Sequence, residues 1–350
     1  MSSEISPLIS TIIPTYRRPR LLRRAILSVL AQTGSELQVC VYDNASGDET
    51  ADVVAKLAAK DSRVKYHRHD KNIGGFENFQ YGLSRITTPF FSILSDDDVL
   101  LPGFFEHAMH GFQTSPQAIF WTGVTVRMTP EGVVYDAYLE DWPREGLFSP
   151  PEGLLEMTYK RAPIWTGVVF RQRVLEKIGL LDSEAGAPGD LDFLLRAAAR
   201  YAFVVSKIPV AILLLNPESS SENSPFSAHW PGWLKLIHNV TTSDTLNEDV
   251  KAQMGQKLNA DVRRMLFRRS ANALSKRNYD FALQAASVLK DHYGEIFQAR
   301  LLHMLTTQCS KSSPLQRLYS FFYNAAVGFS LRQRTELQRR HGHLAKYLGD

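Results

Sequence analysis

Ser95-Asp96-Asp97-Asp98 sets three carboxylates side by side, between the run Phe90-Phe91-Ser92-Ile93-Leu94 and the segment Val99-Leu100-Leu101-Pro102. Adjacent carboxylates repel one another, so a fold gains from them only when a cation or a donor-rich ligand sits nearby. Oxygen ligands alone suit a hard divalent ion, Mg²⁺ or Mn²⁺, which keeps some of its water and also grips a substrate phosphate. A solvated acidic turn capping a helix near Pro102 accounts for the same residues, and the tetrapeptide alone does not choose between them.

Two further loops carry candidate chemistry. Asp43-Asn44-Ala45-Ser46-Gly47-Asp48 follows the apolar run Leu37–Tyr42, which puts Asp43 at a strand end where it can accept a hydrogen bond from a ligand N–H. Ser46 or Asp48 can cap the helix that follows. The alternating ligands and late Glu of an EF-hand are missing. Asp70-Lys71-Asn72-Ile73-Gly74-Gly75 opens another helix, and its glycines permit close backbone approach where orphan N–H groups favour anions. An ordinary Asn-x-Gly-Gly turn has the same composition. Neither a Gly-x-Gly-x-x-Gly nor a Gly-Lys-Ser/Thr loop occurs, which argues against a dinucleotide site and a P-loop.

These loops need a sheet to hold them at one edge. Strand patterns at 8–13, 37–42, 64–67 and 89–94 alternate with helical patterns at 19–31, 48–59 and 75–85, and Pro19 stands at a helix start. That βαβ rhythm predicts a mainly parallel sheet flanked by helices, with ligands outside the carboxyl ends of the strands. Strand patterns follow at 118–128, 164–170, 203–205 and 210–215, with helices at 173–178 and 191–201. The stretch 129–160 is mixed and punctuated by Pro and Gly. Beyond a polar loop at 216–224 the pattern is helical, at 230–243, 247–275, 278–291 and 294–306, ending in an aromatic basic tail. The expected division is 1–225, comprising halves 1–115 and 116–225, and a helical region 226–350.

A chain of 350 residues, 44% apolar and 22% charged, is long enough for a large core and is neither disordered nor fibrous in composition. Cys40 and Cys309 make no disulfide framework and suit a reducing compartment. No basic and apolar leader pattern opens the sequence, and no apolar run approaches the about 18 residues of a spanning helix. Net charge is +4, but residues 251–350 carry +11 and residues 1–250 carry −7.

Taken in order, Ile13-Pro14-Thr15-Tyr16, Val41-Tyr42-Asp43-Asn44-Ala45-Ser46-Gly47-Asp48, Asn72-Ile73-Gly74 and Leu94-Ser95-Asp96-Asp97-Asp98 through Pro102 resemble the family 2 glycosyltransferases of GT-A fold. The resemblance runs over residues 8–215. It implies an inverting transferase that uses a nucleotide-diphosphate sugar, UDP- or dTDP-linked, and a divalent metal. Pro14, Thr15 and Tyr16 would line the nucleotide pocket, with Asp43 on the base and Asn72 and Gly74 beside the donor. Aligned on Pro102, Ser95 takes the place of the family's first Asp, Asp96 lies near ribose or diphosphate, and Asp97 with Asp98 would bind metal. Gly189-Asp190-Leu191-Asp192 through Arg196 is similar to the family's Glu-Asp-x-Asp-Leu-x-x-Arg; Asp190 takes the place of the catalytic base, and Gly189 replaces the Glu. Trp165, Thr166 and Gly167, with Asp192, would face the acceptor. The family's His after the last strand is missing, and Glu218 or the later His229 would be its substitute.

The resemblance further implies a glycan or lipid-linked acceptor, bacterial surface polysaccharide assembly and a cytoplasmic location. A catalytically degenerate nucleotide-sugar-binding scaffold and a sugar-nucleotide nucleotidyltransferase are the competing readings. Leu315 to Leu331, aromatic and flanked by Arg317, Arg332 and Arg334, reads either as a peripheral contact with anionic membrane or as a helix packed on the catalytic domain or a partner subunit. No nucleic-acid module is present, and the oligomeric state is left open.

Overall fold

A computed structural model describes residues 8–34, 36–158, 161–216, 225–332 and 334–349. The strands are β1 (Ile9–Thr15), β2 (Leu37–Asp43), β3 (Val64–Arg68), β4 (Phe90–Ile93), β5 (Val99–Leu100), β6 (Phe120–Met128), β7 (Val134–Tyr138), β8 (Gly146–Phe148), β9 (Val168–Arg171) and β10 (Phe203–Leu214). The helices are α1 (Pro19–Leu30), α2 (Thr50–Ala58), α3 (Gly75–Ser84), α4 (Phe104–Thr114), α5 (Glu152–Glu156), α6 (Arg173–Ile178), α7 (Gly189–Ala198), α8 (Phe226–Thr241), α9 (Glu248–Ser275), α10 (Tyr279–Asp291), α11 (Ile296–Lys311), α12 (Ser313–Arg332) and α13 (Thr335–His341).

The strands join one sheet in the order β3-β2-β1-β4-β9-β6-β10-β5, with β7 beside β6 and β8 beside β10. The half β3-β2-β1-β4 is parallel throughout, so its carboxyl ends align: Thr15 pairs with Asp43, and Asp43 with Arg68. Antiparallel β9 joins β4 to β6 and extends this half into a mixed second half. Buried parallel strands read as near-continuous apolar runs, as β1 does. Along β1, Ile13 packs with Leu22, Ala25, Ile26 and Val29 of α1, spaced for one helical face, while Ile12 faces Tyr42 and Leu83 across the sheet.

The core on the Ile12 face continues from Phe193 and Leu194 of α7 into Trp233 and Leu236 of α8 and on through the buried stripe Val250, Met254, Leu258 and Val262 of α9. Asn247 and Asn278 cap α9 and α10 by accepting from the N–H of Val250 and Phe281. The chain then returns to the sheet domain. Gln338 of α13 accepts from the N–H of Val134, His341 meets Glu140 at 2.6 Å, and the Leu348 carbonyl accepts from Arg24 of α1 at 2.9 Å.

Several expected boundaries change. The strand expected at 164–170 begins as a 3₁₀ turn, Trp165–Gly167, before β9. The pieces at 203–205 and 210–215 are one strand, β10, whose register against β6 shifts around Pro209, a residue without an N–H for the ladder. The mixed stretch holds β7, β8 and α5, and the aromatic tail is the 20-residue α12. Among the described residues, no helix is long and apolar enough to cross a membrane.

Candidate active site

Beyond β4 the chain turns at Ser95, whose carbonyl accepts from the Asp98 N–H at 3.1 Å, and all three aspartates are buried. They do not converge on one point. Asp96 Oδ2 accepts from the Thr15 hydroxyl at 2.8 Å, so the end of β1 fixes it. Asp96 Oδ1 and Asp97 Oδ2 both accept from one nitrogen of Arg18, at 3.1 and 3.0 Å. Asp97 Oδ2 also receives the Asn216 amide at 3.4 Å. Burial, then the neighbouring Asp97 charge, pushes the Asp96 carboxyl up to about 6 against the opposing pull of Arg18 and Thr15.

Asp98 points the other way. Its carboxylate accepts from the Thr166 hydroxyl at 2.5 Å and from the Leu214 N–H at 3.0 Å, tying the loop to the 3₁₀ turn and to β10. Burial and the Asp97 charge raise its carboxyl. Each Asp98 oxygen is thus engaged once by the fold, whereas Asp96 and Asp97 turn toward Arg18. Among the described residues no group of three or more His, Cys, Asp or Glu is arranged to hold a metal ion. Asp96 and Asp97 each bring one carboxylate oxygen onto the same Arg18 nitrogen, at 3.1 and 3.0 Å. That set fits a divalent ion whose remaining ligands are water and diphosphate oxygens.

The Asp43 carboxylate, 1% exposed, accepts from the Ser46 N–H (2.9 Å) and hydroxyl (2.5 Å) on one oxygen and from the Tyr66 hydroxyl (2.6 Å) on the other. Each carboxylate oxygen can accept more than one bond, so capacity for a ligand N–H remains. Ser46 thus orients Asp43 instead of capping α2, and Asp48 accepts from the Thr50 N–H. Asn44 joins this loop to the next: its amide donates to Asn72 at 3.0 Å and accepts from the Ile73 N–H at 2.8 Å. Gly74, at φ +97°, takes a backbone conformation that a side chain would strain. Half-buried Pro14 precedes Thr15, while Tyr16 is exposed under the Arg17 guanidinium, 5.0 Å from its ring centre.

Asp190 lies in the first turn of α7, with Oδ1 accepting from the Leu191 N–H at 2.7 Å. Its side chain reaches solvent although protein packs densely around it, and that packing raises its carboxyl above the ordinary carboxylate value. Trp165 donates its indole N–H to the Asp190 carbonyl at 3.0 Å. Consecutive residues of one turn therefore hold both halves of the site: Trp165 holds the start of α7, and Thr166 holds Asp98. A Cβ at Gly189 would meet Phe76 at 3.8 Å and Leu181 at 4.0 Å, which is ordinary contact, so packing at the Cβ does not require the glycine.

The residues expected to face the acceptor are enclosed by the fold. Trp165 is 5% exposed and packs its ring against Phe79, Phe170 and Phe193, leaving no open face for a sugar. Thr166 is spent on Asp98, and a Cβ on Gly167 would stand 3.0 Å from the Gly123 carbonyl and closer still to Thr125. Asp192 has no exposed side-chain surface; it pairs with Arg196 at 2.7 Å and with the Asn239 amide at 2.9 Å, locking α7 to α8. Breaking such a pair leaves the partner charge uncompensated. Asp192→Ala should cost about 3 kcal/mol, the low end for a buried pair, because Arg196 also bonds the carbonyls of Ile178 and Leu180. Urea unfolding with nucleotide binding measured in parallel checks this: stability falls and nucleotide affinity holds. Unchanged stability with transfer lost would return Asp192 to the acceptor side.

His229 is buried in α8 against Arg269, and burial with that charge pushes its pKa down to about 4; these contacts place it in the helical region. Glu218 lies outside the described residues. The residue at the end of β10 that does reach Asp97 is Asn216, which sequence reasoning missed together with Arg18 and Arg24. Arg24 donates to the Asp97 carbonyl at 2.8 Å. The available signal was the row of basic residues directly after Tyr16, on the loop that leaves β1 toward the acidic cluster.

Residues 10–179 match the profile of Glycosyl transferase family 2. Over 98 residues, 28% of this chain, it is 38% identical to a GalNAc(5)-diNAcBac-PP-undecaprenol beta-1,3-glucosyltransferase of Campylobacter jejuni, and over 105 residues, 30% of this chain, 33% identical to an uncharacterized glycosyltransferase of Rickettsia typhi. The match spans 32% of the length of each relative. In fold, the chain is similar to S. aureus TarS 1–349 in complex with UDP-GlcNAc, at TM-score 0.63 and 15% identity over 87% of this chain and 91% of that one. It is also similar to the Pyrobaculum calidifontis mannosyltransferase PcManGT in complex with GDP-Man and Mn²⁺, at TM-score 0.52 and 15% identity over 94% of this chain and 88% of that one. Sequence match and fold agree: residues 10–179 of this chain belong to glycosyl transferase family 2.

Proposed function

We propose that this chain transfers a sugar from a UDP- or dTDP-sugar to a hydroxyl of a glycan or lipid-linked glycan, with inversion. The observation that carries the reading is the turn Trp165-Thr166, which bonds the Asp190 carbonyl with one residue and the Asp98 carboxylate with the next. It supports a proton acceptor and an acidic donor-binding loop acting on one reacting centre. The C. jejuni relative is named for an undecaprenol-linked substrate and TarS was solved with UDP-GlcNAc, which supports the donor and acceptor classes.

Each residue then has a task. Asp43, oriented by Ser46 and Tyr66, accepts from the base N–H. Thr15 holds Asp96, and Asp96 with Asp97 would hold Mg²⁺ or Mn²⁺. When bound, the ion offsets the diphosphate charge and weakens the bond to the leaving nucleotide. Asp190 takes the proton from the acceptor hydroxyl as that oxygen attacks the anomeric carbon from the face opposite the diphosphate. Its raised carboxyl makes it a stronger base than an ordinary aspartate.

Thermal-shift titration with nucleotide diphosphates and their sugars, with and without Mn²⁺, tests the reading. At about a hundredfold excess over Kd, a bound donor adds about 2.7 kcal/mol of stability. A UDP- or dTDP-sugar with Mn²⁺ should give the largest shift. No shift with any nucleotide, with or without metal, overturns the proposal.

A further inference from the structure

Helix α12 turns its polar side inward and its apolar side out. On the inner side, Gln316 is 1% exposed and donates to the Leu274 carbonyl at 2.8 Å. The Ser320 hydroxyl donates to the Ser275 carbonyl at 2.7 Å, and the Tyr319 hydroxyl to the Ala271 carbonyl at 3.2 Å. On the outer side, Leu318, Phe321, Phe322 and Phe329 are 51 to 67% exposed. Leu318, Phe322 and Phe329 fall four and seven residues apart, so they share one face, with Phe321 at its margin. The preceding helix α11 exposes Phe297 and Met304, seven residues apart, with Arg300 between them on the same stripe.

Scattered exposed apolar side chains are ordinary, but a face of them on a helix whose hydrogen-bonding side is buried implies a cover. Charge identifies it. From Ile296 to Arg332 the sequence holds no Asp or Glu, while Arg300, Lys311, Arg317 and Arg332 are cationic. A protein groove accepts apolar side chains without requiring an acid-free surround. An anionic bilayer attracts Lys and Arg and takes Phe and Leu into its interfacial layer. We propose that α11 and α12 dock this chain on an anionic lipid surface, with α12, about 30 Å long, lying in the interface plane. The proposal deepens the lipid-linked acceptor reading and does not depend on it.

Flotation of the full chain with phosphatidylglycerol/phosphatidylethanolamine vesicles is the test. The wild type should float, less with pure phosphatidylcholine and less at high salt. Phe321→Ser combined with Phe322→Ser should lower partitioning about tenfold or more, because each lost ring removes interfacial burial. Arg317→Glu should lower it for anionic vesicles alone. All three side chains are exposed, so circular dichroism and nucleotide binding should stay as in the wild type. Absence of flotation, or flotation indifferent to both variants, overturns the proposal. So does a dimer in sedimentation that the double Ser variant splits, since a second copy would then cover the face. Flotation without sugar transfer overturns the transfer reading and leaves this one standing.

Discussion

Asp190→Asn should reduce sugar transfer about a thousandfold while leaving donor affinity within a factor of about two, because general-base assistance contributes on the order of 10²–10⁴. A thousandfold loss corresponds to about 4 kcal/mol of transition-state stabilisation. The amide keeps the shape and can still accept from the Leu191 N–H, so the start of α7 and its link to Trp165 should persist. Only the capacity to take a proton is gone. Because packing raises the Asp190 carboxyl, the acid limb of kcat/KM should fall at a pH above the ordinary aspartate value of about 3.9. Activity is lost as pH drops through that raised value, since the unprotonated form is the base. Stability runs the opposite way. A carboxyl raised in the folded state favours folding at low pH and loses that contribution as pH rises through the folded value. Asp190→Asn should therefore be at least as stable as the wild type at pH 8, although it is inactive. An active Asp190→Asn, or an inactive one that also unfolds more easily, removes Asp190 from the role of base.

The same contrast explains what the sequence revealed and what it hid. Strands β1, β2 and β4 were legible because buried parallel strands read as largely apolar runs closed by Pro- or Asp-bearing loops, and their common direction puts Thr15, Asp43 and the Asp96 loop at one edge. Which way each carboxylate turns was not legible. Asp98 is drawn inward by Thr166, 68 residues away, and Asp192 by Asn239, 47 residues away, and no local pattern reports such partners. Trp165 reads as a ligand-stacking ring in isolation, but Phe79, Phe170 and Phe193 enclose it. Elements of a few residues such as β8 and α5 carry too little periodicity to register, and Pro209 split one strand into two patterns. Helix α12 was obscured for another reason: its apolar face, which ordinarily marks the core side of a helix, is its exposed face.

Asp97→Ala should cost about 10² to 10³ in transfer, several kcal/mol, because it removes one of two carboxylates that converge on a single cationic position. The loss should appear in metal dependence as well as in rate. Wild-type transfer should saturate with Mn²⁺, and the variant should need far more. The effect on Asp96 separates charge from shape. Repulsion by Asp97 is the second cause of the raised Asp96 carboxyl, after burial, so Asp97→Asn should bring Asp96 down from about 6 while keeping the side-chain volume. A carboxyl titration followed by NMR would show that fall even in an inactive protein. Arg18 supplies the counter-test. Its guanidinium holds the position shared by Asp96 and Asp97, so Arg18→Met should tighten Mn²⁺ binding in the absence of nucleotide, as the competing cation is gone. If Asp97→Ala keeps normal, Mn²⁺-saturable transfer and Arg18→Met leaves Mn²⁺ affinity unchanged, the Asp96–Asp97 pair is an ion pair of the fold. The donor diphosphate would then be neutralised by Arg18 itself.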